Sequence, residues 1–78
     1  MNYVVEKMVK RGADIVSFEV VLRTDYLSEA KECMNSERKK LVRKDFISDW
    51  ADETYVKMSR KTESYIFTAR ITIETEGK

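Results

Sequence analysis

The chain has 78 residues, enough for one small domain and too few for a second core. Its 42% apolar residues exclude a disordered chain, while 37% charged residues sum to a balance of only +1, against the clear basic excess of a protein that wraps nucleic acid. One cysteine, Cys33, and no histidine exclude an internal disulfide and a Cys/His zinc site.

A domain this short buries roughly 60% of the surface its unfolded chain exposes, so its own core leaves it marginally stable. Staples by disulfide or metal being absent from the sequence, association with a second copy or another protein is the remaining common remedy. No apolar run approaches the roughly 20 residues of a membrane span, and the N-terminus lacks the apolar core of a signal peptide, so a cytoplasmic location is expected.

In chain order, the first segment, NYVVEKMVK, alternates Val5, Lys7 and Val9 on one face with Glu6, Met8 and Lys10 on the other. RGAD then supplies the only internal glycine, Gly12, where a hairpin turn is needed. In DIVSFEVVLR strict alternation sends Val16, Phe18, Val20 and Leu22 one way, and Ser17, Glu19, Val21 and Arg23 the other. Rich in Val, Ile and Phe, this is the pattern of a half-buried strand.

The period then changes. Thr24 or Asp25 caps a helix predicted over about residues 26–43, in which Leu27, Ala30, Met34, Leu41 and Val42 form an apolar stripe that also contains Arg38. DFISDWADE reads as an acidic, aromatic connection whose Phe46, Ile47 and Trp50 close one end of the core. TYVKMSRK and SYIFTARITIE return to period two around the polar turn RKTES, with Tyr65, Phe67, Ala69, Ile71 and Ile73 on the core face. The expectation is an α+β domain, β-β-α-β-β, with a four-stranded antiparallel sheet and one helix packed on one face. It spans residues 1–78 as one unit, with 75–78 as a fraying tail.

Five of the seven residues at 38–44 are basic: Arg38, Lys39, Lys40, Arg43 and Lys44. Two readings compete for them. Bases at the end of a helix whose start carries Glu29 and Glu32 complement the helix dipole without any ligand. The same residues can also contact phosphate, although Asp45, Asp49, Asp52 and Glu53 come directly after them and repel it.

Tyr55, Lys57, Tyr65, Phe67 and Arg70 interleave aromatic and basic residues, but without the glycines of an RNA-recognition strand, and Tyr65 and Phe67 alternate with the core set. Cys33 lacks a histidine base and falls on the flank of the helix stripe, as an inert thiol does. The acidic run at 45–53 has neither the spacing nor the glycine of a calcium loop, and two glycines cannot build a phosphate cradle. No catalytic residue, metal or cofactor is expected.

The remaining candidate is the sheet face turned away from the helix, assigned Ile15, Val21, Ile66, Thr68, Arg70 and Thr72. A mixed apolar and polar face of this kind is either an ordinary solvated sheet or a contact surface. The leading expectation is a non-catalytic protein–protein interaction module, of the size of a bacterial or phage accessory protein, which works through that face or an edge strand on another protein or a second copy of itself. The rival expectation is a nucleic-acid-binding module using the basic helix end.

Overall fold

The computed structural model describes residues 2–76. Its elements are β1 (Asn2–Arg11), β2 (Asp14–Thr24), α1 (Leu27–Arg43), β3 (Ile47–Ala51), β4 (Tyr55–Lys61) and β5 (Ile66–Glu76). The five strands form one antiparallel sheet in the order β2-β1-β5-β4-β3, and α1 packs across one face. The α+β class and the single helix match the sequence expectation; the sheet has one strand more. The segment read as a connection contains β3, a short edge strand against β4.

β1 and β2 join through Gly12 and Ala13, with Gly12 at φ 61°, the conformation that the first central residue of a tight hairpin turn requires. The Gly12 amide also donates to the Ile66 carbonyl at 2.8 Å, fastening the turn to β5. Thr75 and Glu76, expected to fray, pair with Tyr3 and Asn2; Gly77 and Lys78 lie outside the described residues.

The core joins Val5 of β1, Val56 and Met58 of β4, and Ala69, Ile71 and Ile73 of β5 to Ala30, Met34 and Leu41 of α1, with Phe46 closing the helix end. Burial of α1 follows positions 30, 34, 37 and 41, the period of a single helix face. Val42 stands one residue off that line and is 54% exposed; Arg38 is likewise exposed. The stripe is thus narrower than predicted, and it includes a charged residue, Glu37.

Tyr26, and not Thr24 or Asp25 as expected, holds the N-cap position of α1, and no side chain caps the helix there. The Thr24 hydroxyl accepts from the Tyr26 amide at 3.1 Å and donates to the Glu29 carboxylate. At the other end Asp45 adopts φ 70°, its amide donates to the Val42 carbonyl, and the Phe46 amide donates to the Leu41 carbonyl. This pairing is the Schellman stop, in which the residue after the left-handed position packs back on the helix. Buried Phe46 and Leu41 make that contact possible. No helix among the described residues is long and apolar enough to cross a membrane.

Candidate interaction surface

Residues paired across antiparallel strands share a face. β1 fixes which face is which, because Val5 is fully buried in the core, so Glu6, Met8 and Lys10 belong to the open side. Along β2 the register against β1 shifts twice, between Val5/Glu6 and between Val9/Lys10. Each shift places an extra residue in β2, first Val21 and then Val16, and each reverses the alternation of the strand beyond it.

The consequence is a correction to the sequence reading. Leu22 pairs with Val5 on the core side, but Val20 pairs with Glu6 and Phe18 with Met8 on the open side. Phe18 is 58% exposed, and Val20 and Val16 are exposed too, where unbroken alternation had sent all three to the core. Val21, assigned to the open face, sits in the bulge and packs against the core.

A third shift, between Ser48 and Trp50, acts on β3 in the same way. Ile47 pairs with Ser59 and Trp50 with Lys57, so both point to the open side despite being three residues apart. Trp50 is 59% exposed and Ile47 more so. Neither closes the core; of the three residues given that role, only Phe46 does.

The other assigned residues fall where expected. Ile15, Ile66, Thr68, Arg70 and Thr72 lie on the open face, with Ile15 and Ile66 exposed. Register therefore aligns Phe18, Met8, Arg70, Lys57 and Trp50 as one row crossing all five strands. Beside it Glu6, Met8, Phe18, Tyr55, Arg70, Thr72 and Glu74 line a shallow depression of about 250 Å³. Arg70 places its Nε in this floor, buried and without a hydrogen-bond acceptor. Tyr65, read as core, is exposed beyond the strand, where the Arg11 guanidinium stands 5.0 Å from its ring centre.

Charge is segregated along the strands. At the end where β1 begins, Glu6 and Glu74 are diagonal neighbours on the open face of β1 and β5. Loss of hydration, then the Glu74 charge, pushes the Glu6 carboxyl above its ordinary range. Glu76 stands at the same end in a bidentate pair with Arg23, at 2.8 and 2.9 Å. Asp52 accepts from the Thr54 and Tyr55 amides nearby, and those bonds hold its carboxyl below the usual range.

The opposite end is basic. Lys10 and Lys61 lie there on the open face, and Arg11 and Arg60 flank Phe67 on the helix side. Arg60 also donates to the Lys44 carbonyl at 3.5 Å, which brings the helix terminus to this same pole. Asp14, Asp45 and Glu63 temper it from the turns.

Lys40 is bound to Glu37 at 3.0 Å, and that carboxylate raises its pKa. Arg38, Lys39 and Arg43 line a shallow depression with Asn35 and the exposed Val42. Cys33 is half-buried; burial and the Glu37 charge push its thiol up, away from a nucleophilic thiolate. Among the described residues no cluster of carboxylates and Cys could hold a metal ion.

Compared with protein-family models, curated proteins and solved structures, the chain matches none of them. The surface itself therefore carries the functional reading. Phe18 and Trp50 were missed as surface residues because three register shifts hide the period; the polar character of Ser17 and Glu19, which those shifts turn toward the helix side, pointed to the opposite assignment.

Proposed function

We propose that the protein is a non-catalytic protein–protein interaction module whose working surface is the open face of the sheet. The observation that carries this reading is the row from Phe18 to Trp50, because a chain this short has little reason to expose its tryptophan and a phenylalanine on one face. Ile15, Ile47, Ile66 and Val20 add exposed apolar side chains to this face, and Arg70, Lys57, Glu6 and Glu74 give it polar contacts. Aromatic residues and Arg among apolar neighbours are the composition of interface centres.

The face also has the scale of an interface. The molecule measures 44 by 21 Å across its two longer extents, those of an eleven-residue strand and a five-strand sheet. A standard interface buries roughly 800 Å² on each partner, which a face of these dimensions can supply.

A photo-reactive phenylalanine analogue in place of Phe18, with the same analogue in place of Lys39 as a comparison, tests this in the native host. A polypeptide adduct from position 18 and none from position 39 supports the open face. Adducts only from position 39, or adducts to nucleic acid, overturn it in favour of the basic helix end.

A further inference from the structure

We infer that the occupant of the open face is a second copy of this chain, laid face to face with its strands running opposite to the first. The inference rests on the open face being the working surface and adds the partner and its orientation. It comes from how charge is distributed on that face. Glu6, Glu74 and the Glu76–Arg23 pair hold one end, acidic on balance, and Lys10 and Lys61 the other, with the row of Phe18, Met8, Arg70, Lys57 and Trp50 between them. Two such faces have two ways to meet about a two-fold axis lying between them. An axis along the strands sets Glu6 and Glu74 of one copy on the acids of the other. An axis across the strands sets acids over bases at both ends and keeps Phe18, Met8 and Trp50 near their own equivalents. Charge complementarity selects the second arrangement, in which each strand crosses its own copy at the modest angle of aligned sheet packing.

The same arrangement resolves two local features. Glu6 and Glu74 are like charges set diagonally on neighbouring strands, and a lysine from the partner neutralises the pair. The exposed aromatic residues of the two edge strands, Phe18 and Trp50, become covered at the two sides of a two-sheet sandwich.

Charge reversal tests the orientation with the intact chain. Glu6→Lys/Glu74→Lys and Lys10→Glu/Lys61→Glu are made separately and followed by sedimentation equilibrium, with circular dichroism to establish that each is folded. The wild type is expected to be dimeric, each variant alone to dissociate at least tenfold more readily, and an equimolar mixture to recover association. Recovery on mixing cannot arise from misfolding of either variant. A wild type that stays monomeric to millimolar concentration overturns the second copy, even where Phe18 cross-links another polypeptide and so leaves the open face standing. Variants that dimerise as well as the wild type, or a mixture that stays dissociated, overturn the antiparallel arrangement.

Discussion

Lys7 of β1 reaches Glu37 of α1 at 3.2 Å, and together they form a nearly buried ion pair between the centre of the sheet and the middle of the helix. Their side chains are only 13% and 8% exposed, so each charge depends on the other. Lys40 adds a second bond to the same carboxylate from the solvent side. The pair ties the middle of α1 to β1 on the covered face of the sheet.

Removing one member is expected to cost far more than removing both. Glu37→Leu strands the Lys7 ammonium and should destabilise the fold by about 3 kcal/mol, whereas Lys7→Met/Glu37→Leu should recover most of the loss. Urea unfolding of the two single variants and the double variant measures this. A double-variant loss equal to the sum of the two single losses would show that the pair is not coupled.

The same carboxylate sets a pH response. Burial alone would raise the Glu37 pKa, but hydrogen bonds and charge from Lys40 and Lys7 outweigh it and hold the group below its ordinary 4.5. A carboxyl depressed by folding stabilises the fold fully above its unfolded value and loses that contribution as pH falls through the folded value. Wild-type stability should therefore drop below about pH 4.5 more steeply than that of Glu37→Gln, and the two should converge in acid, as followed by urea unfolding at each pH.

Core and open face predict opposite mutational costs. Phe18→Ser should change stability by about 1 kcal/mol or less in the monomer, because the ring already stands in water. Met58→Ala, which empties a fully buried position, should cost about 2–5 kcal/mol. Chemical unfolding at high dilution separates these from any effect on association.

The helix stop offers a stabilising change. Asp45 occupies a left-handed conformation at φ 70° that glycine adopts without steric cost. Asp45→Gly should raise stability by about 0.5–1 kcal/mol, seen as a higher melting temperature. Phe46→Ala at the adjoining buried contact should lower it by about 3 kcal/mol or more.

Much of the architecture was legible because most elements keep one period throughout. β5 alternates without interruption, and Ala69, Ile71 and Ile73 are all buried as its sequence implied. α1 was legible for the same reason, with bounds within a residue of those expected. What failed was every place where the period breaks. The bulges at Val16 and Val21 divide β2 into pieces of opposite phase, so one reading of the whole strand assigned Phe18 and Val20 to the wrong side. β3 is five residues with a break of its own, too short for any alternation to show. Glu37 was legible in principle: Lys7 shares its face with Val5 and Val9, and a buried ammonium requires an anion from the covering helix. The open face thus escaped sequence reading where it matters most, since register shifts are what bring Phe18 and Trp50 onto it.

Trp50 gives the most direct test of the central claim, because the chain's only tryptophan stands at the β3 end of the proposed contact row. Its emission, recorded from low to high protein concentration alongside sedimentation, reports whether that row is covered. The account predicts the spectrum of a water-exposed indole in the dilute chain, a shift to the blue as the chain associates, and no shift in Glu6→Lys/Glu74→Lys over the same range. Association with an unchanged Trp50 spectrum would contradict it, because the copies would then be meeting through another surface.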